Sequence, residues 1–279
     1  MKVTAPAKLN LALDVIARRP DGYHQVDLIM QSIELSDQLT LEPAGKIELS
    51  CNRSDIPVNE SNLAWRAARL LQEISGSAKG VRIEIDKKIP VAAGLAGGSA
   101  DAAAVLLGLN DLWKLGLSQT ELMKIGARLG ADVPFCIMKG TARAEGIGEQ
   151  LTPIKSALKC KVLLVTPNCQ MSTAQVYQKL QIEKIKKHPQ IHLVVAALEA
   201  GDYQALYKVW GNVLEELVLR ESSLVAEVKS YFNRFGISDC LMSGSGPSVF
   251  ALNPPEEIME EFLAELPIGW FGCLTRFLN

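Results

Sequence analysis

A glycine-rich stretch near the middle of the chain has the composition of a phosphate-binding loop. It reads PVAAGLAGGSADAAA over residues 90–104 and continues into a run of helix-forming residues. The N-terminus of a helix carries unpaired N–H groups and partial positive charge, which favour a bound phosphate. Gly94, Gly97 and Gly98 leave the backbone open to a ligand. The stretch predicts a phosphate cradle, in which Ser99 is either the helix N-cap or a hydroxyl ligand to a phosphate-bound metal ion.

Two common nucleotide-binding motifs do not describe this loop. A Walker loop needs a lysine directly after its last glycine, and no lysine follows Gly98. The dinucleotide motif Gly-x-Gly-x-x-Gly does not fit the glycine spacing either. The loop is therefore either a different kind of phosphate site or only a tight connection between a strand and a helix.

Two other places could supply groups for acid–base chemistry. Near the N-terminus three leucines alternate with Lys8, Asn10 and Ala12. A strand here places Lys8 and Asn10 on the face opposite the leucines, as a solvated face or as part of a site. Asp132 is the single acidic residue of an apolar segment, residues 131–136. Such a residue is either a helix or turn cap or a general base.

Further polar and aromatic residues follow predicted turns. The turn Pro20-Asp21-Gly22 delivers Tyr23 and His24 together. This pair could stack on a nucleobase and hydrogen-bond its edge, or it could be a packed tyrosine beside an exposed histidine. A glycine-serine loop, residues 243–248, joins two predicted strands and is either a hairpin or a backbone approach to phosphate.

Composition narrows the class of protein. The chain of 279 residues can bury a substantial core, and its net charge of −2 gives no bulk attraction to nucleic acid or to an anionic membrane. No apolar run is long enough to cross a bilayer, and the N-terminus lacks a signal-peptide core. The six cysteines show no metal-binding spacing, which favours reduced thiols in a cytoplasmic protein.

The periodicity of hydrophobic residues, together with turn and capping residues, predicts the helices and strands that must position these residues. A strand over 81–86 precedes the loop, and the helix after the loop ends near Trp113. Several connected strands are expected between residues 29 and 49. The change of composition near residue 155 predicts two domains, 1–155 and 156–279. Asn59 or Asn62 begins a predicted helix over 63–74. The capping box of Ser118 and Glu121 begins a predicted helix over 118–129, with Gly130 as its stop, and Ser172 can cap a further helix.

The remaining elements are predicted from the same signals. The helices are 193–199, 203–209, 223–235 and 255–266, and the strands are 2–14, 161–167, 239–242, 249–252 and 271–277.

Three motifs in this order resemble the GHMP kinases. They are PAKLNL at 6–11, the loop at 90–100 and LMSGSGPS at 241–248, and the resemblance covers essentially the whole chain. It implies an α+β, two-lobed GHMP-kinase-like fold. The N-terminal lobe would contain a left-handed βαβ-type unit like ribosomal protein S5 domain 2, the C-terminal lobe would be ferredoxin-like, and the site would lie in the cleft between them.

Two more stretches, RPDGYH at 19–24 and MSTAQVY at 171–177, resemble one branch of that superfamily. This branch phosphorylates the 2-hydroxyl of a cytidylyl diphosphate-linked methylerythritol in the non-mevalonate isoprenoid precursor pathway. The resemblance implies ATP as co-substrate, Mg²⁺, ADP and a 2-phosphate as products, and a monomer or homodimer with no nucleic-acid or membrane partner. A kinase for mevalonate, phosphomevalonate or homoserine, and a silent binding protein of the same fold, are the alternatives.

The resemblance also implies roles for particular residues. Asp132 would accept the proton of the attacking hydroxyl, and Lys8 would hold that hydroxyl and keep the carboxylate ionised. Ser99 would be the protein's ligand to Mg²⁺. Ala100 departs from the branch, which commonly has a second serine there. The ATP contacts would be Pro90, Val91, Ala92, Ala93, Gly94, Leu95, Ala96, Gly97, Gly98, Ser99 and Ala100 in the loop, with Asn62, Lys87 and Asn110 near the adenine or its ribose.

On the acceptor side, the resemblance implies an aromatic clamp for the cytosine. Tyr23 and Tyr177 would stack on its two faces while His24 reads its edge. The remaining substrate contacts would be Asn10, Ser172 and Thr173 for the methylerythritol and diphosphate, with Gly244 and Ser245 in a loop that closes over the reacting groups.

Overall fold

The structure is a computed structural model, and it describes residues 1–278. The chain divides into two units that do not follow a single cut in the sequence. The first unit comprises Met1–Ala7, Leu35–Val91 and Ala96–Lys139, and the second comprises Lys8–Glu34, Ala92–Leu95 and the chain from Gly140 onward. The domain boundary near residue 155 stays a prediction.

The bounds of the elements agree with most of the predicted ones. The strands are β1 Lys2–Arg18, β2 His24–Ala44, β3 Ile47–Cys51, β4 Gly80–Asp86, β5 Thr141–Glu145, β6 Gln150–Pro153, β7 Lys161–Thr166, β8 Gly211–Asn212, β9 Cys240–Met242, β10 Val249–Leu252 and β11 Phe271–Arg276. The helices are α1 Leu63–Ser75, α2 Gly97–Trp113, α3 Gln119–Ala127, α4 Val133–Met138, α5 Thr173–Lys179, α6 Ile191–Ala200, α7 Tyr203–Val209, α8 Glu215–Glu221, α9 Ser223–Arg234 and α10 Glu256–Ala264.

The first unit is built around a βαβ unit, β3-α1-β4. Strands β3 and β4 pair in parallel, and the C-terminal part of β2 pairs antiparallel with β4. The alternation of β4 places Val81, Ile83 and Ile85 in the core beneath α1 and α2. Of the two predicted caps, Asn59 and Asn62, the structure has Asn62 at the start of α1, where its side-chain oxygen accepts from the Ala64 N–H at 2.8 Å.

Helices α3 and α4 complete the first unit. The predicted capping box of Ser118 and Glu121 begins α3. The prediction that this helix runs to Leu129 and stops at Gly130 is wrong, because α3 ends at Ala127. The Leu129 N–H bonds back only three residues, to the Gly126 carbonyl, so the chain tightens and turns early into α4.

In the second unit, a four-stranded sheet within the described residues has the order β11-β7-β10-β9 with antiparallel neighbours. Helices α5 to α9 separate β7 from β9, and α10 separates β10 from β11. This βαββαβ connectivity confirms the predicted ferredoxin-like lobe.

The connected strands expected between residues 29 and 49 are two, β2 and β3, which belong to one sheet. Residues 29–41 form a single strand, because β2 runs unbroken from His24 to Ala44. No glycine or proline interrupts residues 24–42, so the polar residues around Asp37 do not form a turn. The part of β2 at residues 28–31 pairs with β5, which forms a hairpin with β6.

Candidate active site

The residues predicted to do chemistry are distributed over both units. The first unit holds Asn62, Lys87, Pro90, Val91, Ala96, Gly97, Gly98, Ser99, Ala100, Asn110 and Asp132. The second holds Lys8, Asn10, Tyr23, His24, Ala92, Ala93, Gly94, Leu95, Ser172, Thr173, Tyr177, Gly244 and Ser245.

Lys8 and Asn10 form a buried polar pair on β1. Their exposed fractions are 4% and 2%, which excludes the solvated strand face considered from the sequence. The Lys8 ammonium donates to Asn10 Oδ1 at 2.6 Å and to the Gly94 carbonyl at 3.1 Å. A lysine ammonium has three N–H donors, so these contacts orient it while leaving one for a ligand.

Gly94 is held against the second unit's glycine-serine loop. Its φ is +74°, and a Cβ at this position would lie 2.1 Å from the carbonyl oxygen of Ser243. Residue 94 must therefore be glycine, both for its backbone conformation and because the segments around Gly94 and Ser243 approach so closely. The Leu95 carbonyl also accepts the Lys8 N–H at 3.1 Å, which fixes this short segment beside β1.

Sequence reasoning missed two buried residues that hold the glycine-serine loop. The Ser243 hydroxyl donates to the Gly94 carbonyl at 3.0 Å and accepts from the Asn10 N–H at 3.3 Å. Asn212 donates to the carbonyls of Met242 and Gly244 at 2.8 and 2.7 Å. Ser243 lies inside a motif that the sequence shows, whereas nothing local to Asn212 indicates its role.

The aromatic residues expected to bind a base are partly together. The rings of His24 and Tyr177 have centroids 5.2 Å apart and are tilted by 46°. Tyr23 is 61% exposed and His24 is half-buried, so the alternative of a packed tyrosine beside an exposed histidine is wrong. Burial, followed by the nearby charge of Arg18, lowers the pKa of His24.

Ser172 and Thr173 begin helix α5. Ser172 caps the helix as predicted, with its hydroxyl accepting from the Gln175 N–H at 3.4 Å. The Thr173 hydroxyl contacts the Ser245 hydroxyl at 2.8 Å. The start of α5 is thus joined to the glycine-serine loop, and two predicted substrate contacts lie side by side.

The phosphate-binding stretch leads directly into α2. Ala96, in the left-handed conformation, occupies the N-cap position and makes no side-chain capping bond. Of the two alternatives for Ser99, the N-cap is therefore excluded, because the N-cap is three residues earlier, at Ala96, and α2 begins at Gly97. The first N–H groups of a helix have no intrahelical acceptor, so those of residues 97–99 have the arrangement that the predicted phosphate cradle needs.

Asp132 stands at the start of α4. It occupies the N-cap position, but its side chain makes no capping hydrogen bond, so the interpretation as a helix cap is wrong. A Cβ on Gly130 would lie 4.0 Å from the Ser99 hydroxyl oxygen. The chain just before Asp132 therefore runs beside the first turn of α2, and Asp132 itself is half-buried.

Lys87 is the centre of a buried ion triad. Its ammonium donates to Asp101 Oδ2 at 2.7 Å and also to Asp37. Burial acts to lower the pKa of Lys87, but the charges of Asp101 and Asp37 outweigh it and the pKa is raised. Burial, opposed by Lys87, raises the pKa of Asp101 to about 7. Asp37 also accepts the Lys88 and Ile89 N–H groups, which fixes the chain before the loop.

Asn62 and Asn110 use their amides within the protein. Asn62 donates to the Pro57 carbonyl at 2.8 Å in addition to capping α1. Asn110 donates to the Leu117 carbonyl at 3.0 Å and accepts the Leu117 N–H at 2.9 Å. Each side chain thus stabilises a turn of the first unit.

The side chains of the described residues supply few ligands for Mg²⁺. Among residues 1–278 no group of three or more His, Cys, Asp or Glu side chains could hold a metal ion. Mg²⁺ in phosphate sites is commonly held by substrate phosphates and water with one or two protein ligands. The Ser99 hydroxyl, in the first turn of α2, fits such a site, in which phosphate oxygens supply most of the ligands.

None of the helices in the described part of the chain is long and apolar enough to span a membrane.

The chain matches two family models. The GHMP kinases N terminal domain matches residues 62–140, and the GHMP kinases C terminal domain matches residues 194–270.

Two relatives of high sequence identity carry the same name. The 4-diphosphocytidyl-2-C-methyl-D-erythritol kinase of Geobacillus thermodenitrificans is 50% identical over 255 residues, covering 90% of this chain and 88% of that protein. The kinase of the same name from Lachnoclostridium phytofermentans is 43% identical over 284 residues, covering 100% and 98%.

Solved structures show the same fold. A crystal structure of 4-(cytidine 5'-diphospho)-2C-methyl-D-erythritol kinase superposes with a TM-score of 0.84 at 33% identity and covers 100% of both chains. A mevalonate kinase from Methanococcus jannaschii superposes with a TM-score of 0.69 at 17% identity, covering 100% of this chain and 98% of that one. This second similarity concerns the fold alone.

Proposed function

The chain belongs to the GHMP kinases and, within them, to the 4-diphosphocytidyl-2-C-methyl-D-erythritol kinase family, and we propose that it phosphorylates the 2-hydroxyl of 4-diphosphocytidyl-2-C-methyl-D-erythritol. The enzyme is a small-molecule kinase with ATP as its co-substrate. The bond between the γ-phosphorus and the β,γ-bridging oxygen of ATP breaks, and a bond to the acceptor oxygen forms. The products are ADP and the 2-phosphate.

Lys8 and Asp132 are the proposed catalytic residues. Asp132 takes the proton of the 2-hydroxyl, and the remaining N–H of Lys8 holds the same oxygen. The support for Lys8 is its orientation by Asn10 and Gly94. The support for Asp132 is that its carboxylate makes no capping bond and that the nearby Gly130 lies beside Ser99 of α2. Phosphoryl transfer needs alignment and charge stabilisation more than covalent catalysis, so a base and an oriented cation suffice.

The nucleotide phosphates are proposed to bind residues 90–100 and the N–H groups that begin α2. The Ser99 hydroxyl is the proposed protein ligand to Mg²⁺, which when bound neutralises charge on the phosphates. Ala100 supplies no hydroxyl, but the backbone donors of this turn do not depend on it. Asn62, Lys87 and Asn110 stay proposed nucleotide contacts. Their side chains already have protein partners, so they act through the backbone or by holding the elements around the nucleotide.

The acceptor is proposed to bind through its cytosine ring. The observation that carries this assignment is the aromatic group of the second unit, in which His24 and Tyr177 lie together and Tyr23 presents an exposed ring. Each stacked ring would contribute about 1–3 kcal/mol. The Asn10 amide, the start of α5 at Ser172 and Thr173, and the glycine-serine loop at Gly244 and Ser245 would then hold the methylerythritol and diphosphate.

The experiment is ADP release with Mg-ATP and each of several acceptors in turn. The diphosphocytidyl-methylerythritol should support turnover, whereas mevalonate, phosphomevalonate and homoserine should not. Turnover with one of these others would keep the kinase and overturn the cytosine site. Absence of turnover with all of them would support a silent binding protein.

Other features of the protein follow from the same proposal. The family matches at 62–140 and 194–270 lie on either side of residue 155, which supports domains 1–155 and 156–279. The substrates are small anionic molecules, so no nucleic-acid or membrane partner is needed. We propose a cytoplasmic monomer or homodimer, and light scattering of the purified protein would decide between the two states.

A further inference from the structure

The Ser243 hydroxyl contacts both residues that accept hydrogen bonds from the Lys8 ammonium, Gly94 and Asn10. It donates to the carbonyl of Gly94 and accepts from the backbone N–H of Asn10. These are the residues to which the Lys8 ammonium donates, through the Gly94 carbonyl and the Asn10 side chain. A serine hydroxyl has one donor and two acceptor lone pairs, so both contacts can form at once.

The position of Ser243 is itself fixed from β8. The Asn212 amide donates to the carbonyls of the residues before and after Ser243, Met242 and Gly244. Its own oxygen accepts the Leu214 N–H at 3.0 Å. Ser243 is fully buried and Asn212 is 8% exposed, so water does not compete for these bonds.

We propose that Ser243, clamped by Asn212, is a positioning residue that aims the Lys8 ammonium at the acceptor hydroxyl. The inference rests on the proposed role of Lys8 in phosphoryl transfer. Without the serine hydroxyl, the Gly94 carbonyl and the Asn10 backbone lose their common partner. The ammonium then samples orientations in which it does not hold the attacking oxygen, and misalignment of this kind slows the chemical step.

A buried hydroxyl outside the site offers a matched control. Thr141 on β5 is 6% exposed, and its hydroxyl donates to Gln31 Oε1 at 2.6 Å. Ser243→Ala and Thr141→Val each remove one buried hydroxyl from the second unit. Of the two, only Ser243 contacts the Gly94 carbonyl and the Asn10 backbone, so a purely structural effect should appear in both variants.

The experiment compares the purified full-length variants Ser243→Ala and Thr141→Val with the unchanged enzyme. Ser243→Ala should lower kcat about tenfold or more with the KM for ATP changed less than about twofold. Thr141→Val should keep kcat within about twofold, although thermal unfolding should show a similar loss of stability for both. Equal kcat effects in the two variants, or no effect of Ser243→Ala, would overturn the inference.

A double-mutant cycle with Lys8→Ala tests the connection between Lys8 and Ser243. In the Lys8→Ala background, Ser243→Ala should reduce the residual kcat by less than about twofold, because the group it positions is gone. Independent, multiplicative losses would contradict the proposal. If residual turnover is too low to measure, the comparison of Ser243→Ala with Thr141→Val decides alone.

These outcomes separate the inference from the proposed function. If the unchanged enzyme releases no ADP with the diphosphocytidyl acceptor, the function fails before any variant is compared. If the unchanged enzyme and Thr141→Val are active and Ser243→Ala equals them, only the positioning role fails. The variant Ser243→Thr keeps the hydroxyl and should recover part of the loss.

Discussion

Lys87 Nζ lies 2.7 Å from Asp101 Oδ2, and this ion pair joins the residue after β4 to α2 on the far side of the phosphate-binding stretch. Asp37 of β2 binds the same ammonium and the N–H groups of residues 88 and 89. A Cβ on Gly97 would lie 3.0 Å from Lys87 Nζ, so the ammonium also lies directly against the first turn of α2. The triad therefore fixes both ends of the loop.

Replacing Lys87 should be strongly destabilising. Lys87→Met leaves two buried carboxylates without their cation, and breaking a buried pair in this way costs about 3–5 kcal/mol. Urea unfolding measures the loss of free energy. Lys88→Met is the matched control, because Lys88 is largely exposed and lies 3.7 Å from Asp86 in a surface pair. The control should stay within about 1 kcal/mol, and an equally mild effect of Lys87→Met would show that the triad does not stabilise the fold.

Replacing Asp132 should remove the base while leaving the nucleotide site intact. Asp132→Asn should lower kcat by about 10²–10⁴-fold, because the amide cannot accept the hydroxyl proton. Steady-state ADP release gives kcat, and a direct binding measurement gives the affinity for ATP, which should be retained. Since the Asp132 side chain makes no capping bond, the melting temperature should change little. Near-normal turnover would remove Asp132 from the mechanism.

Replacing Tyr23 should weaken the acceptor selectively. Loss of one stacking ring costs about 1–3 kcal/mol, or about 5- to 150-fold in affinity. Tyr23→Ala should therefore raise the KM of the acceptor and leave that of ATP nearly unchanged. Tyr203→Ala is the control, because Tyr203 is also partly exposed but lies against Tyr207 in an edge contact. Equal changes in both KM values would contradict cytosine stacking.

The KM of the acceptor should depend on pH only on the acidic side of neutrality. Burial and then Arg18 lower the pKa of His24 from its ordinary value of 6.5, so the imidazole is neutral at pH 7 and above. Protonation on lowering the pH adds a second donor and changes how the ring reads the cytosine edge. The KM should be flat between about pH 7 and 8 and should change below about 6.5. Arg18→Gln should move the change to higher pH, and an inflection above pH 7 in the unchanged enzyme would contradict this assignment.

Gly94→Ala should impair both stability and turnover. The new methyl group would collide with the Ser243 carbonyl, and the positive φ of residue 94 adds strain of about 1–2 kcal/mol. Gly45→Ala is a matched control, because a Cβ there meets nothing within 4 Å and φ is not in the left-handed region. Thermal unfolding and kcat should separate the two. Similar results for both would show that the loop at 243–248 can move away from Gly94.

Local patterns in the sequence predicted most of the helices and strands, including most of those in the C-terminal, ferredoxin-like lobe. The helix after the glycine-rich stretch, the Asn62 cap and the Ser118 capping box depend on neighbouring residues, and the structure has all three. The start of α2 was misplaced because a left-handed Ala96 begins the helix without a capping side chain. Propensity alone does not indicate such a start, since alanine rarely adopts that conformation.

The network behind the predicted site could not be predicted in the same way. Asn212 bonds the carbonyls at 242 and 244, about thirty residues away, and Asp37 reaches Lys87 across fifty positions. Such partners depend on tertiary register, which a single sequence does not show. The motifs identified Lys8 and Asn10, but their burial, the contact of Lys8 with Gly94 and the contact of Asn10 with Ser243 required the fold.

The alternation along β1 limits how this enzyme can change during evolution. Lys8 and Asn10 share one face of the strand, and Leu9 and Leu11, both fully buried, share the other. Inserting or deleting one residue just before Lys8 would exchange the two faces, and the ammonium would enter the aliphatic core while a leucine replaced it. Changes of length by one residue are therefore tolerable only outside this strand.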